Sequence, residues 1–188
     1  MMRDEVEKAY AALQEGKTIL YPTDTVWGIG CDATNENAVK RIFEIKQREE
    51  SKSLIVLVSD EVMLNKYLKD VPPIAWDLID TAEKPLTIVY PEGKNLAPQV
   101  IANDGSVAIR IVKDDFCIAL IRRFKKPIIS TSANISGEPT PEKYNQIQSS
   151  IKHLVDYEVN LPLYHSAVSK PSTIIKLSMN GEFQILRK

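Results

Sequence analysis

Apolar positions recur along the chain in two ways, at helical spacing and in short strand-like runs, and the alternation of the two predicts an α/β fold. Val6, Ala9, Tyr10 and Leu13 share one face of a first helix, and Gly16 follows as a C-cap before the β-branched run Thr18-Ile19-Leu20-Tyr21. Pro22 stops that strand. Thr23-Asp24-Thr25 then places hydroxyls and a carboxylate at its end, where open α/β sheets bind ligands. Thr34 or Asn35 caps a second helix whose apolar face is Ala38, Val39, Ile42, Phe43 and Ile45. This helix delivers Lys46 and Arg48 at its C-terminal end, where a cation suits the helix dipole.

Leu54-Ile55-Val56-Leu57-Val58 is unbroken and of strand length, the pattern of a strand covered on both faces. Two helical patterns follow, one around Val62, Met63, Tyr67 and Leu68 and one started by Pro73 with Ile74, Trp76, Leu78 and Ile79. Residues 86–90 and 107–112 read as strands. In the second, Ser106, Ala108 and Arg110 share a face, so Arg110 interrupts an otherwise apolar strand. Phe116, Ala119, Leu120 and Ile121 mark another helix, which ends in a solvated basic run at 122–126. Residues 127–130 are expected as a short buried strand, left by a polar loop at 130–134, and a weaker helix is expected near 142–151. The pattern at 152–170 stays unassigned. Runs at 172–177 and 182–187 flank Met179-Asn180-Gly181, and Asn-Gly between strand-like runs signals a hairpin.

Composition narrows the class. With 188 residues and 44% hydrophobic content, the chain suits one α/β domain spanning 1–188, without internal repeats. A formal net charge of -1 argues against gripping nucleic acid over the whole surface and leaves room for a local basic cleft. Cys31 and Cys117 are widely separated and no His pairing accompanies them, so two reduced thiols are expected and no metal site. The charged N-terminus does not read as a signal peptide, and no apolar run approaches a membrane span. A soluble, cytoplasmic protein without membrane contact is expected.

The candidate chemistry is cations and hydroxyls at strand ends. Lys46, Arg48 and Lys52 form either an anion-binding set or a solvated helix end balanced by Glu44, Glu49 and Glu50. Arg110 must reach a sheet edge or meet an anion. Ser132 and Asn134 are either ligands or turn-formers. Trp27, Cys31, His153 and His165 are read as structural. Gly28-Ile29-Gly30-Cys31-Asp32-Ala33 matches the dinucleotide fingerprint in form, but Arg48 stands where the acidic ribose partner belongs. Neither a P-loop nor a G-x-S-x-G elbow occurs, and neither His lies near a candidate nucleophile in the sequence.

Taken together, residues 21–33, the Lys46-x-Arg48 pair with Lys52, Ser130-Thr131-Ser132-Ala133-Asn134 and Pro171-Ser172-Thr173-Ile174 resemble the YrdC family of threonylcarbamoyl-AMP synthases in order and spacing. The resemblance covers nearly the whole chain and matches the single-domain form. It implies an open, twisted mixed sheet flanked by helices, with a concave, positively charged cleft. It also implies a nucleotidyltransferase that joins L-threonine, bicarbonate and ATP into threonylcarbamoyl-AMP, releasing pyrophosphate. Other proteins then complete the threonylcarbamoyl transfer to tRNA. Carried over by position, Lys46 and Arg48 would be catalytic. Lys46, Arg48, Lys52, Ser106, Asn134 and Arg187 would contact ATP, with Mg²⁺ accompanying the triphosphate. Thr23, Arg110, Ser132 and Ser172 would hold threonine. The chain departs from the family pattern at Glu49, Ser53 and Val58. An RNA-binding module, or a paralogue without synthase activity, is the alternative from another class.

Overall fold

In the computed structural model, which describes residues 1–49, 54–164 and 170–188, the apolar runs become strands of one mixed sheet with helices packed against it. In chain order the elements are α1 (Met2–Gln14), β1 (Ile19–Tyr21), β2 (Gly28–Gly30), α2 (Glu36–Lys46), β3 (Ile55–Val58), α3 (Glu61–Lys66), α4 (Ile74–Thr81) and β4 (Leu86–Tyr90). They continue with β5 (Val107–Ile111), α5 (Asp115–Phe124), β6 (Ile128–Ser132), α6 (Ser149–Leu154), β7 (Tyr157–Glu158), β8 (Thr173–Leu177) and β9 (Phe183–Arg187). Among the described residues the sheet order is β7-β1-β2-β6-β3-β5-β4-β8-β9. The β1–β7, β3–β5 and β4–β8 pairs are parallel and the others antiparallel.

The register separates a core face from a site face. Ile129, Val56, Ile109, Ile88 and Ile175 stand side by side across five strands, and all are buried in one apolar cluster. Side chains alternate along a strand, so the neighbouring row Ser130, Ile55, Ala108, Val89 and Lys176 points the other way. That second row forms the floor of a cleft. Side-chain caps set the starts of α2, α3 and α5: Asn35 accepts from the Ala38 amide, Asp60 from Met63 and Asp114 from Cys117.

The glycines of Gly28-Ile29-Gly30 serve strand packing. β2 runs between β1 and β6, and a Cβ on Gly30 would sit 2.3 Å from the Ile129 carbonyl oxygen and 2.6 Å from the Tyr21 ring. Tyr21 crosses beneath and donates its hydroxyl hydrogen to that same carbonyl at 2.8 Å.

Two expected elements are corrected. The strand read at 127–130 extends to Ser132, because Gly28 and Ile29 pair with Ser132 and Thr131. The helix expected near 142–151 gives way to a 3₁₀ turn at Tyr144–Gln146 and the separate α6; the turn is closed by the Gln146 side chain, which accepts from the Glu142 and Lys143 amides. The C-terminal hairpin forms, with Gly181 at φ 86 closing the turn back to Ser178. Among the described residues no helix is long and apolar enough to cross a membrane.

Candidate functional site

Two adjoining clefts open over the site face of the sheet. The first, about 750 Å³, is floored by Ile55, Ala108 and Val89 and walled by Arg48, Ser106, Arg110, Ser132, Ser172 and Arg187. The second, about 1010 Å³, is lined by Thr23, Asp24, Lys84, Tyr164 and Lys170 among others. Thr25, Pro171 and Arg187 line both, so they form the shared wall.

β5 delivers Arg110 by alternation with Ser106 and Ala108, as the strand pattern predicts. The side chain is only 2% exposed. A buried guanidinium requires a counter-charge, and Asp24 supplies it, with Oδ1 at 3.0 Å from Nη2. Nη2 also donates to Thr25 Oγ1 at 3.2 Å, while Nε has no acceptor. The 23–26 segment that offers these groups is folded by Thr23: its hydroxyl donates to Val26 O at 2.8 Å and accepts from the Thr25 amide at 3.0 Å. Thr23 therefore spends its hydroxyl locally and lies on the second cleft.

Lys46 sits beneath the first cleft and is absent from its walls. It is 1% exposed, and its Nζ donates to the main-chain carbonyls of Ser132 at 2.5 Å and Asn134 at 2.7 Å. The solvated-helix-end reading therefore fails for this residue. Burial, with the charge of Arg48 adding to it, lowers the Lys46 ammonium to about 7. The tie fixes the end of β6, where Ala133 also donates its amide to Trp27 O and Ser136 to Lys46 O. Asn134 turns away from the first cleft: its Nδ2 donates to Ile135 O and Glu138 O, and its Oδ1 is buried without a partner.

Arg48 lines the first cleft, and burial lowers its pKa. Arg187 lowers likewise through burial, then through the nearby charge of Arg110. From β9 it reaches back to Ser172, with Nε to the main-chain oxygen at 2.9 Å and Nη2 to Oγ at 3.3 Å. Ser172 Oγ also shares a hydrogen with Thr87 Oγ1 at 2.7 Å. Ser106 donates its hydroxyl and its amide to Asp104, and Lys176 ties the same carboxylate at 2.9 Å. These bonds, the Ser106 hydroxyl first, hold Asp104 well below the usual carboxylate range.

The first cleft thus gathers Arg48, Ser106, Arg110, Ser132, Ser172 and Arg187; Thr23 falls on its neighbour, Asn134 and Lys46 behind the loop at the end of β6. Lys52 and His165 lie outside the described residues. Sequence reasoning placed Thr25 at a ligand-binding strand end but missed Asp104 and Lys176 as wall residues and Asp24 as the counter-ion. Lys176 carried a signal, since it alternates with Ile174 on β8. Asp24 and Arg110 are too far apart in the chain for any local pattern to join them. Among the described residues no group of three His, Cys, Asp or Glu side chains could hold a metal ion.

Known proteins share this chain's sequence pattern and fold. A family model covering Sua5, YciO and YrdC, described as "Telomere recombination", matches residues 11–188. A threonylcarbamoyl-AMP synthase from Pseudoalteromonas translucida is 34% identical over 180 residues, covering 94% of this chain and 95% of that protein. The structure of Pyrococcus abyssi Sua5 complexed with L-threonine superposes with a TM-score of 0.80 at 31% identity. That match covers 92% of this chain and 50% of the longer Sua5 chain. Escherichia coli YciO superposes with a TM-score of 0.84 at 22% identity, covering 100% of this chain and 90% of its own, which shows the shared fold.

Proposed function

The chain belongs to the Sua5/YciO/YrdC family, and on that premise we propose that it is a nucleotidyltransferase making threonylcarbamoyl-AMP from L-threonine, bicarbonate and ATP, with release of pyrophosphate. The product would feed the threonylcarbamoyladenosine modification of tRNA, other proteins completing the transfer. The observation that carries this reading is a relative of nearly the same length bearing the synthase name.

The chemistry suits the site. The threonine amine and bicarbonate condense to a carbamate, a C–N bond forming as a C–O bond breaks and water leaves; the carbamate carboxylate attacks the α-phosphorus of ATP, the α–β phosphoanhydride bond breaks and pyrophosphate departs. The nucleophile belongs to the substrate, so none is required of the protein. What the protein must supply is placement and charge neutralisation. In favourable systems placement is worth roughly 7–11 kcal/mol, and charge aimed at the developing anion adds to it. Among the described residues Arg48, Arg110, Lys176 and Arg187 outnumber the carboxylate Asp104 on the walls of the first cleft, which supports a net-positive, phosphate-accepting surface. Ser106, Ser132 and Ser172 add hydroxyl donors. Lys46 would act through the main chain at 132–134. Mg²⁺ would enter with the triphosphate and shield its charge; Asp104, the carboxylate described on that wall, would have to release Ser106 or Lys176 to meet it.

The test is pyrophosphate release by purified protein with Mg²⁺, each of L-threonine, bicarbonate and ATP omitted in turn. Dependence on all three supports the synthase. No turnover, with tight and salt-sensitive RNA binding, would favour a binding module instead.

A further inference from the structure

The Arg110–Asp24 pair lies where the two clefts meet and has the charge pattern of a receptor for a zwitterion. Both side chains are at least nine-tenths buried, and Asp24 Oδ1 stands 3.0 Å from Arg110 Nη2. Yet Oδ1 makes no aligned hydrogen bond, and Arg110 Nε has no acceptor. Asp24 Oδ2 is fixed by the Lys113 amide at 3.1 Å, which holds the carboxylate in place without using Oδ1. Thr25, which accepts from Arg110, lies on the shared wall of both clefts. The pair therefore leaves Arg110 Nε–H without an acceptor, beside a carboxylate oxygen that is ion-paired but makes no aligned hydrogen bond.

We propose that Asp24 receives the ammonium group of the amino-acid substrate while Arg110 takes its carboxylate, making Asp24 the residue that selects an α-amino acid over a simple hydroxy acid. The proposal deepens the synthase reading and rests on it for the identity of the ligand. An α-amino acid carries its two charged groups on one carbon and can lie along the pair with each charge matched. A simple carboxylic acid would meet Arg110 but set its own chain against the Asp24 carboxylate, and an amino alcohol would face the guanidinium unpaired. If Asp24 only neutralised Arg110, it would not discriminate between these ligands.

Calorimetry with three probes separates the two roles. L-threonine, (R)-3-hydroxybutyrate, which lacks the ammonium, and L-threoninol, which lacks the carboxylate, are titrated into the full chain. The wild type should bind L-threonine at least about tenfold tighter than either analogue, the scale of one charge-assisted hydrogen bond. In Asp24→Asn the preference over (R)-3-hydroxybutyrate should collapse to within about threefold, while the preference over L-threoninol persists. Asp24→Glu keeps the counter-charge for Arg110 but displaces the carboxylate by one methylene. It should fold and also lose the ammonium preference, so it decides the matter if the Asn variant melts early. Equal wild-type binding of L-threonine and (R)-3-hydroxybutyrate would overturn the proposal without any variant. So would full ammonium preference retained in Asp24→Glu or in a folded Asp24→Asn. Pyrophosphate release by the same wild-type sample reads the synthase assignment separately: ammonium preference without turnover would sink that assignment and leave the role of Asp24 standing.

Discussion

Replacing Lys46 by Met keeps the reach of a buried side chain while removing its charge and its donors. In the folded protein this ammonium is held at about 7 against an ordinary value of 10.5, by burial first and by Arg48 second. The sign follows from proton counting. Between those two values the unfolded chain binds a proton that the folded chain does not, so Lys46 makes stability rise with pH across that window and adds no slope below it. Each unit of pH is worth about 1.4 kcal/mol, giving at most on the order of 3 kcal/mol between pH 7.5 and 10. The Met variant has no such slope. It also leaves the carbonyls of Ser132 and Asn134 without their donor, at about 1–3 kcal/mol each, partly offset because no amine need be buried. Urea unfolding of both proteins from pH 6.5 to 10 measures the difference directly. The wild type should gain on the variant as pH rises; a difference that stays flat, or narrows, would show that Lys46 is not held as the geometry indicates.

Gly30→Ala should lower stability by roughly 1–3 kcal/mol, about 2–4 °C in Tm for each kcal/mol at this size, because the new Cβ meets Ile129 O at 2.3 Å; an unchanged melting curve would refute the packing argument. Glu5 is buried and accepts from Tyr157 Oη at 2.5 Å, the Asn160 amide at 2.8 Å and Lys8 Nζ at 2.9 Å. Burial pushes its pKa up but the three donors outweigh it and the net direction is down, so its contribution is present above the ordinary carboxylate range and lost as pH falls through the depressed value. Glu5→Gln should flatten that acid limb in a circular-dichroism titration, and an identical limb would count against it. Arg187→Ala should weaken ATP binding about tenfold to a hundredfold, the range of a hydrogen bond to a charged group. Its Tm should fall only by what the two hydrogen bonds to Ser172 contribute; unchanged ATP affinity by calorimetry would remove Arg187 from the site.

The hydrophobic pattern made most elements legible because strands and helices here differ sharply in period. β2 escaped it: Gly-Ile-Gly has little strand propensity of its own, and the strand exists because β1 and β6 pair with it on both sides. The same pairing lengthens β6 beyond its apolar residues into Thr131 and Ser132. For the site, Arg110 was visible as a charge on a buried strand, and Ser106 as its partner by alternation. For Lys46 the spacing left an anion-binding set and a solvated helix end both open, although a signal of burial was present, since it follows Val39, Ile42 and Phe43 at spacings of seven, four and three and so continues the buried stripe of α2. Asp24 was visible only as a carboxylate at a strand end. Its pairing with Arg110 is a tertiary contact between β5 and the loop after β1, which no local period encodes.

Carbon-14 bicarbonate tests most directly whether this protein joins all three substrates. Incubated with protein, Mg²⁺, ATP and L-threonine, the label should appear in an adenylate fraction that contains both threonine and AMP, and should vanish when L-threonine is left out. Pyrophosphate release with no label in any nucleotide product would contradict the account.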